Sequence, residues 1–142
     1  MGEIKAVLDI NVLVSTFIAS GGNPHQILKK AWEGSFKLHL CEEILTEARR
    51  VLLDYEHIRD RYHYEDRQVM RFLDNLRVVS EMTSNLPQVE VVKEDPDDDK
   101  ILACALKASA DYLISGDPHL KDLGKYEGIE IISPADFLEV LN

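Results

Sequence analysis

The chain has 142 residues, 45% of them hydrophobic and 30% charged, with a net charge of −10. That length suits one domain, because a chain of this size buries roughly two-thirds of its unfolded surface. The acidic balance excludes a general nucleic-acid-coating protein, which needs a basic surface. It leaves open an enzyme that meets nucleic acid through a local basic patch or divalent cations, and also a basic partner protein. No N-terminal apolar stretch is long enough for a signal peptide, and none approaches the ~20 residues of a membrane span. A cytoplasmic protein is therefore expected. Cys41 and Cys104 lie far apart in sequence and in apolar contexts. They read as buried free thiols of a reducing compartment, not as a disulfide or metal pair.

In chain order, Ala6-Val7-Leu8 reads as a short buried strand, with Asp9 at its end. A carboxylate at the end of a buried strand is costly unless it is paired or bound to a cation. Asn11 to Ala19 is apolar on nearly all sides and predicts a buried helix. Gly21 and Gly22 break it. Asn23-Pro24 starts a second helix running to about Glu33 and stopping at Gly34. The next strand is Phe36 to Leu40. A third helix follows Cys41, with Ile44, Ala48, Val51, Leu52 and Tyr55 on one apolar face. Glu47 lies on the flank of that face, Glu43 further round, and Glu42 points away. Glu56 to Tyr64 predicts a connection or short helix, and Glu65 to Val79 an amphipathic helix. Val89 to Val92 reads as a strand. Pro96 and the acids after it suit a helix N-terminus, where negative charge meets the positive dipole end, and that helix runs to about Ser109. Tyr112 to Ser115 predicts a strand, followed by Gly116-Asp117-Pro118 and a short helical turn. Ile129 to Ile132 is the last strand, and Pro134 to Leu141 a closing helix.

Five short strands separated by helices imply an α/β domain with a parallel sheet covered on both faces, spanning residues 1–142 without a linker. Ligands of such sheets gather at the carboxyl ends of the strands. Asp9 and Asp117 each follow a strand, Asp99 opens the helix before the fourth strand, and Glu47 flanks the third helix. Together these acids would repel one another without cations. Oxygen ligands with no clustered histidine suit Mg²⁺ or Mn²⁺ rather than zinc. Each acid also has a plainer reading. Asp9 can cap the following helix, Asp97, Asp98 and Asp99 can complement a helix dipole, Glu47 can be solvated, and Asp117 can be a turn or N-cap residue. Spacing alone does not choose among the three consecutive aspartates.

The blocks VLDINVLVS, ILTEARRVL, DDDKILACA and YLISGD occur in an order that resembles PIN-domain proteins over nearly the whole chain. The likeness is greatest to VapC-like proteins identified as toxin components of toxin–antitoxin pairs. The resemblance implies a three-layer α/β/α sandwich with a parallel five-stranded sheet of order 3-2-1-4-5. It also implies metal-dependent cleavage of single-stranded RNA, an antitoxin partner and a homodimer. Carried over residue by residue, it assigns catalysis and metal binding to Asp9, Glu47, Asp99 and Asp117, with Asp98 the close rival of Asp99. Asn11 and Ser115 become supporting residues. Ile10 stands where the family usually has a hydroxyl residue, and His119 where close members often carry another acid. His119 reads as a surface histidine.

Arg49, Arg50, Arg59, Arg61, Arg67, Arg71 and Arg77 concentrate in the middle of the chain, interleaved with Tyr55, Tyr62 and Tyr64. Arginines and stacked aromatics suit single-stranded RNA, while a solvated helical pair with internal salt bridges gives the same composition. The expectation is a Mg²⁺- or Mn²⁺-dependent endoribonuclease. Its alternatives are a catalytically weakened PIN-like RNA- or protein-binding module, and a divalent-metal phosphatase or structure-specific DNA nuclease of similar architecture.

Overall fold

Strand β1 (Lys5–Leu8) forms from the first apolar run, and Ala6, Val7 and Leu8 are fully buried. Successive strand residues point to opposite faces, so burial of three in a row requires cover on both sides of the sheet. The computed structural model describes residues 2–19, 21–90 and 96–142. Around β1 are assembled α1 (Ile10–Ile18), α2 (Asn23–Trp32), β2 (Lys37–Cys41), α3 (Glu42–Asp54), α4 (Glu56–Tyr62), α5 (Asp66–Val79) and β3 (Glu81–Thr83). The second half supplies α6 (Pro96–Lys107), β4 (Tyr112–Ile114), α7 (Pro118–Leu123), β5 (Lys125–Tyr126), β6 (Ile129–Ile132) and α8 (Pro134–Leu141).

The sheet has the order β3-β2-β1-β4-β6-β5. All pairings are parallel except β5 with β6. The expected order 3-2-1-4-5 is therefore present, with β6 as its fifth strand and a two-residue antiparallel strand added at the edge. Helices flank the sheet to make the α/β/α arrangement, with α6 packed across β1, β2 and β4. On the other flank, Phe137 of α8 meets Phe36 edge-on, their ring centroids 5.0 Å apart.

The third strand differs from the expectation. It is Glu81–Thr83, directly after α5, and not Val89 to Val92. Val89 and Glu90 lie outside any strand, and Val91 and Val92 fall outside the described residues. The physical reason is edge position: β3 pairs only with β2, and Glu81 and Met82 are exposed. An exposed edge strand needs no apolar signature and is protected by charge.

The amphipathic helices formed, although in α3 Leu45 joins the buried face while Val51 is half-buried and Tyr55, expected on that face, lies beyond the helix end. α3 buries Ile44, Leu45, Ala48 and Leu52, and α5 buries Val69, Leu73 and Leu76. α5 opens on a capping box, where the Glu65 N–H donates to Gln68 Oε1 at 2.7 Å. Cys41 and Cys104 are free and buried, as expected. Packing of α6 on β2 sets the two cysteines in one apolar neighbourhood. The neighbouring Cys41 thiol and burial push the Cys104 thiol up.

Candidate functional site

The pairing of β1 with β4 builds the centre of the site. The register sets Leu8 beside Ile114, and the Asp9 N–H donates to the Ile114 carbonyl at 2.9 Å. Asp9 and Ser115 are thereby neighbours at the carboxyl ends of adjacent strands. Ser115 Oγ donates to Asp9 Oδ2 at 2.6 Å and accepts from the Asp117 N–H at 2.9 Å. The Ile10 N–H donates to Asp9 Oδ1 at 2.6 Å, and Asp9 caps α1. So the capping reading and the site reading of Asp9 both hold. Asp9 is 3% exposed and Ser115 is fully buried. A serine hydroxyl held between two such partners fixes the orientation of a buried carboxylate.

Asp117 sits after β4 as the N-cap of α7, its Oδ1 accepting from the His119 N–H at 2.8 Å. Glu47 comes from the flank of α3, as the helical spacing requires, and is half-buried. Its carboxylate accepts from Arg50 Nε at 3.0 Å, and Arg50 Nη2 bonds the same oxygen. These hydrogen bonds from Arg50 hold Glu47 below the usual carboxylate range.

A cavity of about 330 Å³ opens where these elements meet. Asp9, Glu47, Asp98 and Asp117 line it, together with Asn11 and Ile10. Asp99 instead lines a separate cavity of about 620 Å³ with Glu43 and Leu86 to Glu90. The two aspartates are adjacent in α6, and consecutive helical residues project about 100° apart. Only one of them can face the sheet edge. Asp98 is buried there and Asp99 is half-buried elsewhere.

The donor set suits a hard divalent cation. Asp98, Asp117 and His119 each offer a ligand atom within 4.8 Å of the others, the one such trio of acids, histidines or cysteines among the described residues. Carboxylate oxygens with one imidazole are ligands that Mg²⁺ and, more readily, Mn²⁺ accept. His119 is exposed, as expected of a surface histidine, yet the turn into α7 brings it beside Asp117.

Arg50, Tyr55 and His57 also line this cavity, and sequence reasoning did not single them out as its wall. They lie where α3 ends and α4 begins, with Tyr55 in extended conformation between the two helices. Helical periodicity carries no information across such a break. Three of the other six arginines expected on a basic patch are tied up in ion pairs, Arg59 with Asp66, Arg67 with Glu65, and Arg77 with Glu42.

Comparison with known proteins agrees with this architecture. A structure of VapBC2 from Rickettsia felis, bound to a DNA fragment from their promoter, contains a chain of similar fold. The TM-score is 0.61 at 12% identity, over 90% of this chain and 97% of that one. At that identity the likeness is one of fold. No curated protein matches. The PIN domain family profile matches residues 5–119, a span that contains Asp9, Glu47, Asp98, Asp117 and His119. On that match, the chain belongs to the PIN-domain family.

Proposed function

We propose that the protein is a metal-dependent endoribonuclease that hydrolyses single-stranded RNA and serves as the toxin of a toxin–antitoxin pair. One observation carries the reading: Asp9, Glu47, Asp98 and Asp117 line one cavity at the carboxyl edge of the sheet. Like charges so close repel strongly, and a cation is the physical means of relieving them. The family membership and the VapBC2 likeness support the nuclease and toxin parts, and a homodimer in the cytoplasm is part of the same proposal. No helix among the described residues is long and apolar enough to cross a membrane.

In this reading Asp9, Asp98 and Asp117 hold Mg²⁺ or Mn²⁺, with His119 as a further ligand. Asp98 takes the role that the family resemblance gave to Asp99. A bound ion supplies Lewis-acid stabilisation of the charge that builds on a phosphodiester. The chain's own residues do the rest. Ser115 and the Ile10 N–H hold Asp9 in one orientation. Glu47, kept ionised by Arg50, accepts a hydrogen bond from the attacking water and orients it. The mechanism uses no protein nucleophile.

Asp9→Asn tests the reading. Cleavage of single-stranded RNA in Mn²⁺ should fall on the order of 10³-fold, the rate equivalent of several kcal/mol of charge stabilisation. The circular dichroism spectrum should be unchanged. Equal cleavage by wild type and Asp9→Asn would sink the mechanism. Mn²⁺ should also stabilise the wild type against heat, by about 2.7 kcal/mol at a hundredfold excess over Kd. No shift at millimolar Mn²⁺ would favour a binding module without catalysis.

A further inference from the structure

Arginine stacks on tyrosine at three sites in the middle of the chain, and only one of these belongs to the acidic cavity. The Arg59 guanidinium lies 5.3 Å from the Tyr64 ring centroid, but both residues serve the scaffold. Arg59 donates to the Leu53 and Tyr64 carbonyls, each at 3.2 Å, and Tyr64 OH donates to the Leu52 carbonyl at 2.5 Å. The Tyr64 ring packs edge-on against Phe17 at 5.1 Å. Arg61 over Tyr62 lies on the exposed surface of α4.

Arg50 and Tyr55 differ. Arg50 Nη2 donates to Tyr55 OH at 3.0 Å, and the guanidinium lies 5.1 Å from the ring centroid. The Tyr55 and His57 rings are 5.6 Å apart at an interplanar angle of 39°. All three residues line the cavity that holds Asp9, Glu47, Asp98 and Asp117. Among the described residues of that wall, Arg50 is the only arginine or lysine. The cavity lining thus combines four carboxylates with two aromatic rings and a guanidinium that bonds one of those carboxylates, Glu47.

We propose that Tyr55 and His57, with Arg50 beside them, form a stacking subsite for one unpaired nucleobase of a strand whose phosphate lies at the carboxylates. The proposal rests on the nuclease reading for the position of that phosphate. A nucleobase is flat, with apolar faces and polar edges, and aromatic and guanidinium planes are the protein surfaces that take it. The subsite also supplies a reason for single-strand preference, since in a duplex the base faces are covered by their neighbours. Arg50 sits where it offsets the negative wall as the strand approaches. Tyr55 and His57 hold the base in this account and take no part in breaking the bond.

Binding of a fluorescein-labelled ten-nucleotide RNA, followed by anisotropy with Ca²⁺ neutralising the carboxylates and the strand checked intact by gel, tests the subsite apart from cleavage. Tyr55→Leu should weaken binding by about 5- to 150-fold, the range for one stacked base. His57→Ala should weaken it less, and Tyr55→Phe should stay near wild type because the ring remains. An abasic nucleotide introduced at each position in turn should weaken wild-type binding at one position and leave Tyr55→Leu indifferent there. A merely structural tyrosine would not produce that pattern. His57→Ala removes an exposed side chain and remains informative if Tyr55→Leu fails to fold. Wild-type-like binding by the folded variants would overturn the proposal and leave the rings to a protein partner. Absent RNA binding, indifference to abasic replacement, or equal affinity for a duplex would also overturn it. The two readings fail separately. Ring-dependent binding by a protein that cleaves nothing in Mn²⁺ sinks the nuclease alone, and active cleavage with ring-independent binding sinks the subsite alone.

Discussion

The α3–α4 junction and the α4–α5 junction contain the same pair of residue types, an arginine stacked on a tyrosine, with different consequences. Around the second junction Arg59 and Tyr64 are occupied by backbone carbonyls, those of Leu52 and Leu53 at the end of α3 and that of Tyr64 in the turn. A helix end exposes such carbonyls, and a nearby cation or hydroxyl satisfies them. At the first junction Arg50 bonds Tyr55 and Glu47 side chains rather than backbone carbonyls, and both residues of the pair line the cavity. What decides between scaffold and site is the backbone each pair meets, not the pair itself.

The contrast is sharpest on the two adjacent acids of α6. Asp98→Asn should reduce RNA cleavage on the order of 10²- to 10³-fold, whereas Asp99→Asn should leave it within a few-fold. Single-turnover rates at saturating Mn²⁺ measure this, and the reverse ranking would return the site to Asp99. The next effect concerns the scaffold tyrosine. Tyr64→Ala loses a half-buried ring contact and a hydrogen bond, and should cost roughly 2 kcal/mol in urea denaturation. Its cleavage per folded molecule should stay at the wild-type value. Tyr55→Leu should do the opposite, keeping stability within about 1 kcal/mol while losing RNA affinity. If both tyrosines lowered stability alike, the distinction between the junctions would be lost.

The smallest effect is electrostatic. Arg77 joins α5 to Glu42 of α3 through bonds of 2.9 and 3.0 Å. Hydrogen bonding to Arg77 holds the Glu42 carboxyl below its ordinary value. A lowered folded-state pKa means that the stabilisation is present above the unfolded pKa, near 4.5, and is lost as pH falls through the folded value. The pair is exposed, so Arg77→Gln should cost no more than about 1 kcal/mol at pH 7. That difference should vanish on acidification through the lowered folded-state value, and shrink in high salt. A cost unchanged by acid would mean that Arg77 acts through packing.

Much of the architecture was legible because it follows from period and punctuation. The apolar run before Asp9, much of the face of α3 and the helix starts at Pro24 and Pro134 depend on residues near in sequence, although Gly22 and not Asn23 is the N-cap of α2. Glu47 was legible for the same reason, since 100° per residue puts it on the flank of the buried face. β3 was not, because an edge strand exposed to water carries little apolar pattern.

By itself the sequence determined a parallel α/β domain whose strand ends carry Asp9 and Asp117, and the family that such blocks resemble. Tertiary structure decided which aspartate of α6 meets them, because helix rotation is set by packing against β1, β2 and β4. It also decided that Ser115 grips Asp9, since strand register is a non-local quantity. The junction that turns Arg50, Tyr55 and His57 to the same cavity lies between two helices, where neither helical period extends.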